Sequence, residues 1–142
     1  MKWLASFVFI AFAAIGLLGT PSTAFSQALP GVWDRTYGGA GDDVADSIVA
    51  LADGGFAVAG RTESKGAGGP SDMWVLRLDE AGNVLWDHTY GGAHEDRATS
   101  IVALADGGFA VAGYTESKGA GNRDMWVLRL AGAPEQATVG AR

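Results

Sequence analysis

The chain has 142 residues, with 16 acidic against 10 basic side chains and no cysteine. The missing cysteine excludes a disulfide framework and a lipid carried on an N-terminal cysteine. A net charge of −6 without a basic stripe argues against nucleic acid or an anionic bilayer as partner, and the length suits one small domain.

The first segment reads as an address. Lys2 precedes an apolar run from Trp3 to Gly19, and small residues follow at Ser22-Thr23-Ala24 and Ser26-Gln27-Ala28. Residues 1–28 are therefore expected to be a signal peptide cleaved after Ala28, with Ala24 as second choice. The competing reading, an uncleaved anchor, meets the helix-breaking Gly16, Gly19 and Pro21. The expected location is secreted or periplasmic, with no stable membrane insertion after cleavage.

Beyond it the apolar pattern is short and alternating, the period of half-buried strands. Val32–Tyr37 is expected to be an outer strand. Ser47–Ala52 and Phe56–Thr62 flank Asp53-Gly54-Gly55, a hairpin signal because tight turns need positive φ. A Gly-rich loop leads to Met73–Asp79, where Trp74, Leu76 and Leu78 share one face and Met73, Val75 and Arg77 the other. Glu80-Ala81-Gly82-Asn83 turns the chain into Val84–Tyr90. Ser100–Ala105, Phe109–Thr115 and Asp124–Leu130 follow, then a polar, small-residue tail over 131–142 that is expected to be disordered.

The second group of strands repeats the first. Trp33–Leu78 recurs as Trp86–Leu130, differing at Arg35/His88, Gly41/His94, Asp42/Glu95, Val44/Arg97, Asp46/Thr99, Arg61/Tyr114 and Gly69-Pro70-Ser71 against Asn122-Arg123. Residues 29–130 are thus expected to be a two-repeat domain, with repeats at about 33–85 and 86–130. A four-stranded antiparallel sheet repeated about every 50 residues is the pattern of a propeller blade. The fold class expected is all-β: two tandem four-stranded antiparallel propeller-blade repeats, an incomplete propeller, with the N-terminal outer strand available for closure.

The series WDRTYGG, DGGFAVAG, DMWVLRLD and GNVLW resembles the secreted bacterial repeats of W-x-x-TYGG, DGG-aromatic-x-x-AG and D-x-W-x-x-x-LD-x-x-GN-x-x-W type. The resemblance covers Val32–Leu130 and implies a β-propeller fold. It implies no activity, because that family is mostly without an assigned function. Its arrays run to several repeats where this chain carries two. Two blades are fewer than a ring requires, so three solutions stand: a homo-oligomer that completes a blade ring, two packed sheets folding alone, or a relic of a longer array.

The acidic segment after TYGG holds the candidate chemistry: Asp42, Asp43 and Asp46 in one copy, His94, Glu95 and Asp96 in the other. Carboxylates beside glycine can ligate Ca²⁺, and Asp42, Asp43 and Asp96 are the calcium candidates, although the spacing matches no EF-hand. The competing role is a loop carboxylate that accepts backbone N–H groups. Asp72 and Asp124 suit strand-entry hydrogen bonds. His88 and His94 have no counterpart histidines, and Ser64-Lys65 lies in a Gly-rich loop with no placed base.

No catalytic constellation or cofactor motif emerges. The expectation is an exported, non-enzymatic β-repeat protein serving as a scaffold or binding module. The alternative is an extracellular carbohydrate-active or calcium-dependent adhesion protein acting through rim carboxylates.

Overall fold

The computed structural model describes residues 31–132, and every regular element among them is a β-strand. β1 spans Asp43–Ala50, β2 Phe56–Thr62, β3 Asp72–Leu78 and β4 Val84–Tyr90. β5 spans Asp96–Ala103, β6 Phe109–Thr115 and β7 Asp124–Leu130. The first four form an antiparallel sheet in chain order, and the last three form a second sheet in the same order. The expected signal peptide and all but Ala131 and Gly132 of the expected tail lie outside the described residues.

The pairing of the first sheet is reproduced in the second. Ala45 faces Gly60 and Ser47 faces Ala59, so Asp46 is an extra residue bulged out of β1; Thr99 holds that place in β5. A bulge bends its strand and re-aims one side chain. Gly60 and Gly113 are required beside it, because a Cβ there would run into the carbonyl of Val44 or Arg97. At the opposite end, Leu51 N–H donates to Gly55 O at 2.9 Å and Gly54 N–H to Leu51 O at 3.0 Å. Gly54 takes φ +84°, the left-handed region that an Asp-Gly turn supplies at little cost.

Three expectations need correction. β1 starts at Asp43 and not Ser47, so Asp43 and Asp46 are strand residues; β5 likewise starts at Asp96. Both strands stop before Leu51 or Leu104, because those residues close the hairpin loop. Val32–Tyr37 joins no ladder. It lies across the outward face of the first sheet, where Trp33 meets the edge of Phe56 with centroids 6.0 Å apart. The Trp33 indole, the Arg35 guanidinium and the Tyr37 hydroxyl donate to the carbonyls of Glu80, Ala81 and Gly82, at 3.1, 3.1 and 2.6 Å.

The core lies between the sheets. Ala57, Ala59, Met73 and Val75 of the first sheet pack on Ala98, Ile101, Phe109 and Val111 of the second. Trp86 and Tyr90 of β4 reach over to join them, with Trp86 edge-on to Phe109 at 6.0 Å. Burial of this apolar area is the principal stabilising term, at roughly 25 cal/mol per Å². A second, smaller cluster of Trp74, Leu76 and Leu78 lies on the other face of the first sheet, packed by Tyr37, Phe56 and Val58.

Equivalent residues in the two repeats therefore have opposite fates. Met73 and Val75 are both 0% exposed, whereas Met125 and Val127 are 86% and 60% exposed. Ile101 is 4% exposed and Ile48 61%. One face of each sheet is covered by the other sheet; the matching face of the second sheet is open, and that of the first is covered only in part, by Val32–Tyr37.

Candidate functional site

Antiparallel order brings the start of β1, the end of β2, the start of β3 and the end of β4 to one end of the first sheet. The loop end of the second sheet is built the same way. The TYGG segments and Gly-rich loops meet there, so the carboxylates singled out from the sequence lie at this end, except Asp46, which sits at the bulge in mid-strand.

Asp43 is fully occupied by its own loops. One carboxylate oxygen accepts from Gly39 N–H at 2.8 Å and Ser64 Oγ at 2.6 Å, and the other accepts from Thr62 Oγ1. Burial pushes its pKa up, but the hydrogen bonds from Ser64, Thr62 and Gly39 outweigh this and hold it below the usual carboxylate range. Asp96 repeats half of the arrangement in the second sheet: one oxygen accepts from Gly92 N–H at 3.0 Å and Ser117 Oγ at 2.6 Å, while the other is buried without a partner among the described residues. It is fully buried, and its backbone N–H donates to Ser71 O at 2.9 Å, linking the first sheet's long loop to β5.

The three calcium candidates fall in two places. Asp43 and Asp96 belong to different sheets, and Asp42 is exposed beside Asp43, its carbonyl accepting from Glu63 N–H. Among the described residues, no three His, Cys, Asp or Glu side chains gather as a metal site would require. Asp72 and Asp124 accept from Ala67 N–H at 2.7 Å and Ala120 N–H at 3.0 Å, which pins each Gly-rich loop at strand entry. The second carboxylate oxygen of Asp72 and the Ser71 hydroxyl are buried without a partner among the described residues.

The remaining singled-out side chains also have structural engagements. Ser64 Oγ is held by Asp43, and Lys65 Nζ turns away to Asp87 at 2.7 Å, where the Trp74 indole also donates at 2.8 Å. Ser64 and Lys65 are therefore not arranged as nucleophile and base. The Lys65 hydrogen bond, with help from Trp74, outweighs burial and holds Asp87 low. His88 stacks on Trp86 at 5.3 Å, and His94 offers its backbone N–H to Ser117 Oγ at 3.0 Å.

A constellation not expected from the sequence occupies the loop end of the second sheet. Tyr114 donates its hydroxyl to Glu95, and Arg123 lies over the Tyr114 ring at 4.3 Å. Arg123 also pairs with Glu116 at 2.8 Å and Glu95 at 3.3 Å. Burial, then the Glu95 contact, pushes the Tyr114 hydroxyl pKa up. Glu95, Tyr114 and Arg123 are all positions where the repeats differ, and in the first sheet their places are taken by Asp42, Arg61 and the Gly69–Ser71 segment. There Arg61 pairs, among the described residues, with Glu63 at 2.8 Å. The signal was in the sequence, since every one of these differences falls in a loop or at a strand end. The antiparallel register is what turns three scattered differences into one patch.

The repeat difference Asp46/Thr99, Val44/Arg97 has a separate result. The bulge in β1 aims Asp46 across the sheet junction, where both its oxygens accept from Arg97 of β5, with the Arg97 Nε at 2.9 Å.

No protein-family model and no curated protein matches this chain.

Proposed function

We propose that the chain is an exported β-repeat protein whose two sheets are propeller blades, and that it works as a non-enzymatic scaffold presenting a binding surface at its loop end. The observation that carries this reading is the Glu95–Tyr114–Arg123 patch. The two repeats share strands, bulges and hairpins, and diverge where one polar, partly exposed cluster is assembled. A fixed sheet with variable loop ends is how binding surfaces are commonly varied on a scaffold. The patch suits a polar ligand: an aromatic face, a guanidinium and two carboxylates offer stacking and hydrogen bonding in both directions.

The carboxylates that an acid–base mechanism would need are engaged differently. Asp43 accepts from Gly39, Thr62 and Ser64, and Asp96 from Gly92 and Ser117, which is structural work. The test is a polysaccharide and peptide binding panel run beside hydrolysis assays on the purified protein. Binding without turnover is expected, lost in the Tyr114→Ala, Arg123→Ala double variant and kept in Arg61→Ala. Turnover abolished by Asp96→Ala in a protein that stays folded would replace this reading by the carbohydrate-active one.

A further inference from the structure

We propose that the open face of the second sheet and the open face of the first are the two halves of one interface, filled by a second copy of this chain. The occupant is specified by the junction the chain already makes within itself. Inside one molecule, the Ala57, Ala59, Met73 and Val75 face of the first sheet covers the Ala98, Ile101, Phe109 and Val111 face of the second. The repeat places Ala110, Ala112, Met125 and Val127 on the uncovered side of the second sheet. It places Ala45, Ile48, Phe56 and Val58 on the side of the first that no sheet covers, where Val32–Tyr37 packs over Phe56 and Val58 and Ile48 is left exposed. The two free surfaces thus carry the same apolar residues as the two surfaces already packed together, and a neighbour can repeat that apolar contact; the loop contact of Gly69 and Ser71 with Gly92–Asp96 changes, because Asn122-Arg123 stands in their place. Such a contact is head-to-tail, and closes into a ring when its rotation divides the circle.

Val32–Tyr37 is the segment that would join the copies, pairing with β7 of a neighbour. It already lies on the first sheet as β4 lies on the second, with Trp33 edge-on to Phe56 at 6.0 Å and 68° where Trp86 meets Phe109 at 6.0 Å and 62°. β4 also pairs with β3; the corresponding edge of β7 carries no strand among the described residues. Transferring the β3–β4 register puts Tyr37 opposite Met125 of a neighbour, Thr36 opposite Trp126, Arg35 opposite Val127 and Asp34 opposite Leu128. The polar chemistry carries over as well. Asp87 accepts from Lys65 and the Trp74 indole, and Lys118 sits over Trp126 at 4.7 Å as Lys65 sits over Trp74 at 5.0 Å. Asp34, at the Asp87 position, is the carboxylate that would complete the second set. Where the internal junction has Asp46 facing Arg97, the copy-to-copy junction has Thr99 facing Val44, a change that leaves no charge unpaired.

The inference rests on the blade reading, and repeat-equivalent substitutions separate the two. Light scattering on the purified protein is expected to give two, three or four times the subunit mass, since propellers take about four to eight blades. Ile48→Asp, on an exposed residue, is expected to lower the mass to one subunit with circular dichroism unchanged. Ile101→Asp, its buried equivalent, is expected to abolish the folded state. Because the chain has no cysteine, mixing an Arg35→Cys preparation with a Val127→Cys preparation under oxidation should give one disulfide-linked dimer band, absent from either alone. A folded protein of one subunit mass at every concentration, with Ile101→Asp unfolded, overturns the docking and leaves the two-sheet packing intact. An Ile101→Asp protein that melts like the parent overturns the packing and the docking with it.

Discussion

Asp96 shows how one side chain serves two structures, closing the TYGG loop with its carboxylate and joining the sheets through its backbone N–H. Its repeat partner Asp43 closes a loop on a partly exposed edge. Removing the carboxylate leaves several donors unmet, at a cost of about 1–3 kcal/mol when they are buried. Asp96→Ala should therefore lower the melting temperature more than Asp43→Ala, by several degrees in a domain of this size, at about 4–8 °C per kcal/mol. Because protein donors occupy Asp43 and no three ligating side chains gather among the described residues, adding a chelator should leave the thermal melt of the parent protein unmoved. A drop on chelation would restore the calcium role. The acid limb of stability follows from Asp43 and Asp87, both held below the usual range in the folded state. Their contribution is complete above the unfolded carboxylate pKa of about 3.9 and is lost as pH falls through the lower folded values. Melting followed from pH 7 downward should be flat to roughly pH 4 and then fall, less steeply in Asp87→Asn. Asp43 and Asp96 were legible from the sequence as carboxylates accepting backbone N–H groups after TYGG, although each proves to be the first residue of a strand. Which donors each one takes was not, because Thr62 and Ser64 come from a different strand and loop.

At the scale of the elements, the Asp-Gly hairpins and alternating faces specified β2, β4, β6 and β7 closely, because their side-chain pattern and turn chemistry agree. β1 and β5 were read short at their starts. Their first residues, Asp43 to Asp46 and Asp96 to Thr99, are polar or irregular, and the bulge breaks the two-residue alternation there. That bulge also makes the sheet junction's ion pair, with Asp46 and Arg97 side chains 15% and 33% exposed. Arg129–Asp106 is a similar pair at a hairpin, but with side chains 68% and 54% exposed. A double-mutant cycle should return a coupling of about 1 kcal/mol for Asp46–Arg97 and little above zero for Asp106–Arg129, since exposed pairs are screened and entropically costly. Equal couplings would mean that the bulge does not shield the pair.

For the whole molecule, the duplication made two similar sheets legible, and alternation made their two faces legible. It did not show which face of each sheet is covered. That depends on the order in which the sheets stack, information that identical repeats do not contain. The resting place of Val32–Tyr37 was hidden for the same reason: its strand-like pattern is satisfied by lying on a sheet face, with Trp33, Arg35 and Tyr37 anchored to the Glu80–Gly82 turn. If copies associate as inferred, mass action ties folding to assembly, and the melting temperature should rise with protein concentration. It should stay constant in Ile48→Asp. The Asp46–Arg97 pair then acquires a meaning beyond its modest energy. The apolar side chains of the junction are written identically in both repeats, although the loop contact of Gly69–Ser71 with Gly92–Asp96 is not, so a nascent chain has no apolar reason to prefer its own second sheet over a neighbour's. One ion pair, present at the internal junction and replaced by threonine and valine at the external one, gives the two seams different signatures. It lets a polypeptide of near-identical halves tell itself from its sibling.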